Sequence, residues 1–185
     1  MNKKLANIRT ERLLWVDLEM TGLSPEKDLI LEIAAIVTDW QFNEIATYQG
    51  IVKNDSISLK KRLGLNSIFW DANPEARDGL IEQNKNGKSL SVIEDEILEF
   101  IEKNFKAGVP VVLCGNSVHM DRRFIVAKWP KFDKVLHYRM LDVSAWKVVF
   151  DGKYKIKYAK PDAHRALDDI RGSIAELQYY LAKIK

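Results

Sequence analysis

The stretch Leu13-Leu14-Trp15-Val16-Asp17-Leu18-Glu19-Met20-Thr21-Gly22-Leu23 constrains this chain most. Apolar, β-favouring residues run from Leu13 to Val16, and a Thr-Gly turn signal follows. Two carboxylates interrupt this strand. Strand side chains alternate sides, so Asp17 and Glu19 point the same way, about 7 Å apart. Like charges on one face of a buried strand repel and resist desolvation. Hard oxygen donors at this spacing suit Mg²⁺ or Mn²⁺. The plain alternative is an exposed strand end with solvated acids.

The rest of the chain reads as alternating strands and helices. Leu23–Asp28 is a loop, Leu29–Trp40 a second strand, and Phe42–Val52 a third, which suggests an antiparallel meander. Residues 56–86 are polar, with helices expected and Trp70 among them. Ile93, Ile97, Phe100, Ile101 and Phe105 recur at helical spacing over Leu90–Phe105, with Ser91 and Glu94 as the expected capping box. Val109–Cys114 reads as a buried strand, Met120–Trp129 as a helix stopped by Pro130, and Tyr138–Val143 as a short strand leading into a helix from Ser144. Ala163–Ile184 carries the stripe Leu167, Ile170, Ile174, Leu177 and Leu181 of a long helix. The order predicts a single α/β domain with a mixed sheet over residues 1–185.

Composition narrows the setting. The 185 residues are 46% hydrophobic and 30% charged, which fits one globular domain with a real core. Net charge is +3, mildly basic and compatible with a polyanionic ligand. With one cysteine, Cys114, no internal disulfide can form, which fits a reducing cytoplasm. Cys114 sits in an apolar run and reads as a small core residue. Met1-Asn2-Lys3-Lys4 is followed by no apolar run before Asp17, so no signal peptide is expected. No apolar stretch approaches the roughly 18 residues of a membrane span.

Other stretches carry candidate chemistry. Asp121 follows the Val109–Cys114 strand near a helix start, where an acid is either a plain first-turn residue or a ligand. Asn116 and Ser117 precede it in a polar loop. In His164-Arg165-Ala166-Leu167-Asp168-Asp169, a histidine beside acids suits a general base. The bland reading is a helix N-terminus with surface acids. Helical spacing pairs His164 with Asp168, and leaves open which aspartate binds metal. His119 reads as a loop histidine near the site.

Asp17–Glu19, Asp121, His164 and Asp169 together resemble the DEDD 3′→5′ exonucleases of the histidine subtype. Four ordered phrases, at 15–23, 114–124, 137–144 and 164–171, resemble the oligoribonuclease family within them. The resemblance covers essentially the whole chain and implies a ribonuclease H-like mixed sheet flanked by helices. It implies that Asp17, Glu19, Asp121 and Asp169 hold two Mg²⁺ or Mn²⁺ ions. It places His164 in the loop before the helix, as general base, with Asp168 in support. It implies that Leu23 wedges between two bases and that Trp70 packs on one; the alternatives are a loop leucine packed on the core and a core tryptophan. Ser117, Arg139 and Ser144 would cap the substrate's 5′-phosphate, with Tyr138 reaching over from a second subunit of a homodimer. The implied substrates are short single-stranded RNA oligonucleotides, dinucleotides above all, cut to 5′-mononucleotides.

Two features depart from that pattern. Glu75 stands where a substrate-facing histidine is expected. The segment from His137 to His164 is short, and its lysines at 153, 155, 157 and 160 either steer nucleic acid or sit in a solvated hairpin or loop. Two rival readings remain: a related exonuclease acting on longer DNA or RNA 3′ ends, and a binding protein without activity.

Overall fold

The computed structural model describes residues 10–159 and 166–184. Its centre is a five-stranded mixed sheet. The strands are β1 (Leu13–Met20), β2 (Ile30–Thr38), β3 (Glu44–Ile51), β4 (Val111–Gly115) and β5 (Leu136–Asp142), in the order β3-β2-β1-β4-β5. The expected meander β1-β2-β3 is present and antiparallel. β4 and β5 add in parallel beside β1.

Eight α-helices surround the sheet among the described residues: α1 (Ser56–Leu65), α2 (Ser67–Ala72), α3 (Pro74–Gln83), α4 (Leu90–Asn104), α5 (His119–Lys128), α6 (Pro130–Val135), α7 (Val143–Val149) and α8 (Ala166–Leu181). Alternation along β1 sorts its side chains into two cores. Leu14, Val16 and Leu18 pack with Ile93, Ile97, Phe124 and Trp129. Leu13 and Trp15 pack on the other face with Ile170, Ile174, Leu177 and Tyr180 of α8. Period two carries Asp17 and Glu19 onto this α8 face. A third cluster, of Leu31, Leu59, Leu63, Trp70 and Leu80, anchors α1–α3.

Several local expectations are corrected. α4 is capped by Ser89, whose Oγ accepts from the Val92 amide, so Ser91 and Glu94 form no capping box. Glu94 is buried instead, and its Oε1 accepts from the Lys131 and Phe132 amides in the first turn of α6. Pro130 does not merely stop α5. It opens α6, where its missing N–H is no loss. His119 is the first residue of α5 rather than a loop residue. Between α7 and α8, Phe150–Tyr154 forms a π-helical turn and 155–159 is irregular, with no hairpin. Lysines there are engaged locally: Lys155 Nζ donates to the Gly152 carbonyl, and Lys157 lies 3.6 Å from Asp151.

Candidate active site

β1 and β4 run parallel, so their carboxyl ends open one crevice, a usual place for ligands in α/β sheets. The chains approach closely there: a Cβ on Gly115 would lie 2.8 Å from the Val16 carbonyl oxygen. The crevice is a cleft of about 420 Å³ lined by Asp17, Leu18, Glu19, Asn116, Ser117, Ser144, Lys147 and Asp169.

Asp17, Glu19 and Asp169 each bring one carboxylate oxygen within 4.8 Å of the others. Two come from one strand face and the third from the first turn of α8 packed against it. All three are partly exposed. Asp168 takes no part: it is exposed and lies 3.4 Å from Arg171. Of the two aspartates that the spacing left open, Asp169 is the one brought to the cluster, and the expected pairing of Asp168 with His164 falls outside the described residues. His164 and Lys160 lie outside the described residues.

Asp121 approaches from the opposite side of the sheet. It is buried, and its Oδ1 accepts from the Leu18 amide at 2.9 Å, between Asp17 and Glu19 in sequence. Burial pushes its carboxyl up to about 7, aided by the charges of Asp142 and Glu19 and opposed by the Leu18 hydrogen bond. A buried acid that resists ionisation, beside three convergent carboxylates, fits hard divalent cations held by oxygen. Asp17, Glu19 and Asp169 are the three that converge and could hold one, with Asp121 behind them on the Leu18 amide.

Asp142 organises the neighbouring corner, and nothing in the sequence singled it out. Its Oδ1 accepts from the Ser117 amide, the Ser144 amide and the Ser144 hydroxyl, at 2.9, 2.9 and 2.6 Å. His119 Nδ1 lies 3.5 Å from Oδ2. Ser117 holds a left-handed backbone with φ 55°, a conformation uncommon outside glycine and in keeping with a functional turn. Asp142 thereby fixes Ser117 and Ser144 side by side. On β5, Tyr138 is 62% exposed with the Arg139 guanidinium over its ring.

Leu23 is 69% exposed and does not pack on the core. Its loop is pinned: Asp28 accepts from the Thr21 hydroxyl and the Ser24 amide. Trp70 is placed differently from the resemblance. It is 2% exposed, and its Nε1 donates to the Thr21 carbonyl at 3.2 Å. It is the core tryptophan of the alternative reading, supporting the Leu23 loop from beneath rather than offering a face to a base. Phe69, set edge-on to it at 5.0 Å, is the exposed aromatic. Glu75 is an exposed first-turn acid of α3. Cys114 is buried, and burial pushes its thiol up, as for a core residue.

The mixed sheet with acids of β1 and α8 gathered in one cleft fits a nuclease-like class, and comparison with known proteins makes that class specific. A family model described as Exonuclease (RNase_T) matches residues 14–63 and 81–177. An oligoribonuclease of Francisella tularensis subsp. novicida is 43% identical over 180 residues, covering 94% of this chain and 96% of that protein. A probable oligoribonuclease of Dictyostelium discoideum is 40% identical over 182 residues, covering 97% and 93%. The chain belongs to this exonuclease family and, within it, to the oligoribonucleases; it is an exoribonuclease.

Solved structures agree on the fold. Exonuclease I from Methylocaldum szegediense matches with a TM-score of 0.62 at 16% identity, over 94% of this chain. The zinc-bound complex of E. coli exonuclease I with single-stranded DNA matches with a TM-score of 0.61 at 16% identity, over 95%. This chain spans 41% of the length of each of those chains. The sheet is thus of the ribonuclease H-like exonuclease type. Among the described residues no helix is long and apolar enough to cross a membrane.

Proposed function

We propose that the chain, as one domain, removes 3′-terminal nucleotides from very short single-stranded RNA, dinucleotides foremost, by two-metal-ion hydrolysis. The observation that carries this reading is the convergence of Asp17, Glu19 and Asp169 within 4.8 Å, in a cleft shared with Ser117 and Ser144.

Asp17, Glu19, Asp121 and Asp169 would hold two Mg²⁺ or Mn²⁺ ions, whose charge the four carboxylates would balance. When bound, such ions would make the attacking water more acidic and offset negative charge at the reacting phosphate. Asp121 would have to give up its proton on loading, and burial, which raises its carboxyl to about 7, opposes that loss below neutral pH. His164 accepts the proton of the attacking water. The water oxygen bonds to phosphorus, the P–O3′ bond breaks, the departing O3′ takes a proton from solvent, and the 3′-terminal nucleotide leaves as a 5′-mononucleotide.

Length selection comes from the far end of the substrate. Ser117, Ser144 and Arg139 cap the 5′-phosphate, and arginine's planar fork suits a phosphate. Leu23, on its pinned loop, enters between the bases. Tyr138 completes the site of a second subunit. Its exposure supports a homodimer, as do Met140, Val148 and Val149, which are 37%, 72% and 49% exposed. A buried, unpaired Cys114 suits a cytoplasmic setting. The test is metal-dependent release of mononucleotides from dinucleotides; retained turnover in excess chelator refutes the metal roles.

A further inference from the structure

Glu176 is a fully buried carboxylate that hydrolysis does not use. It lies on α8 two turns beyond Asp169, on the same face. Its Oε1 accepts from the Tyr180 hydroxyl at 2.9 Å, and its Oε2 has no hydrogen-bond partner. A buried carboxylate is strongly disfavoured unless a cation offsets it. Lys147 is that cation: its Nζ stands 3.8 Å from Glu176 Oε1.

Lys147 is not enclosed with its partner. Its side chain is 52% exposed and lines the cleft. The other charged residues of that lining, Asp17, Glu19 and Asp169, are all acids. Lys147 is therefore the lining cation that an anionic substrate meets. It sits on α7 one turn after Ser144, so the two share a helix face. Ser144 is fixed beside Ser117 by Asp142. A buried anchor behind the ammonium limits its rotamers, so less entropy is lost when it meets a ligand.

We propose that Lys147 binds the substrate's 5′-terminal phosphate together with Ser117 and Ser144, and that buried Glu176 is the positioning residue that aims it. The assignment rests on the short-substrate reading above.

The test is equilibrium binding of the full-length protein to phosphorothioate-linked dinucleotides with and without a 5′-phosphate. Lys147→Met weakens binding of the phosphorylated ligand about tenfold or more, as expected for a charged hydrogen bond. It leaves the unphosphorylated ligand within about twofold. Lys147→Arg restores part of the loss. Glu176→Gln, which keeps the shape and the Tyr180 bond, gives a smaller loss of the same selectivity. That loss vanishes in the Lys147→Met background, because Glu176 acts through Lys147. Equal losses on both ligands, or a Glu176→Gln loss that persists without Lys147, overturn the proposal. If the wild-type protein ignores the 5′-phosphate, the cap reading falls and takes this assignment with it. If the wild type prefers the phosphate and Lys147→Met keeps that preference, only this assignment falls.

Discussion

Asp121 Oδ1 accepts a hydrogen bond from the Leu18 amide at 2.9 Å, which ties the first turn of α5 to the strand segment that bears Asp17 and Glu19. The bond seats a buried acid against two others. Its carboxyl is raised from 3.8 to about 7. Between those values the unfolded chain ionises while the folded chain keeps its proton. Stability of the metal-free protein therefore falls as pH rises through that window, and the loss is complete above about pH 7. Asp121→Asn keeps an acceptor for Leu18 and removes this dependence. Denaturant melts of metal-free protein should show the variant gaining on wild type from pH 4 to pH 8. A constant difference across pH would contradict the raised carboxyl.

Metal uptake should expel the Asp121 proton. Titration of Mn²⁺ into weakly buffered protein at pH 6 should release close to one proton more from wild type than from Asp121→Asn. Equal release would place the protonated group elsewhere.

Asp17→Ala removes one donor from a cluster that spans 4.8 Å. Turnover in Mg²⁺ should be lost while the circular dichroism spectrum is kept. Turnover at the wild-type rate would refute the ligand assignment.

His164→Ala should leave dinucleotide binding intact and lower the rate by about 10²–10⁴. A variant that no longer binds substrate would move His164 from proton transfer to substrate holding.

The Asp17–Glu19 pair was legible because a strand's period of two is local and both acids lie on one strand. Which helix covers that face was not legible; the packing of Leu13 and Trp15 on α8 decides it. Trp70 was not legible. Its exposure is decided by how α1–α3 close over Leu31, Leu59, Leu63 and Leu80, and spacing says nothing of that closure. Glu94 was read as a cap of its own helix, yet it caps α6, which begins far along the chain. Asp142 and Glu176 gave no signal, since a lone acid near a helix start or within a helix has many ordinary readings. Their roles arise from long-range approach of Ser117 to Asp142 and of Lys147 to Glu176.

Trp70→Phe deletes the bond from Nε1 to the Thr21 carbonyl while keeping most of the packing. A stability loss of about 1 kcal/mol is expected. Dinucleotide KM should rise with the loosened Leu23 loop, and Phe69→Ala should leave stability nearly unchanged. A Trp70→Phe protein with unaltered stability would argue against the core placement.

Arg139→Ala should weaken dinucleotides that bear a 5′-phosphate more than those without one. KM measured on the two substrates decides it, and an equal rise on both would make the role of Arg139 structural.

The most direct test of the whole account is the rate on 5′-phosphorylated RNAs of two to about ten nucleotides, in Mg²⁺ and in chelator. The phosphate cap and the four carboxylates predict a steep preference for the dinucleotide that chelator abolishes. Equal, metal-dependent cleavage at every length would keep the chemistry of Asp17 and Glu19 and contradict a site closed at the 5′ end.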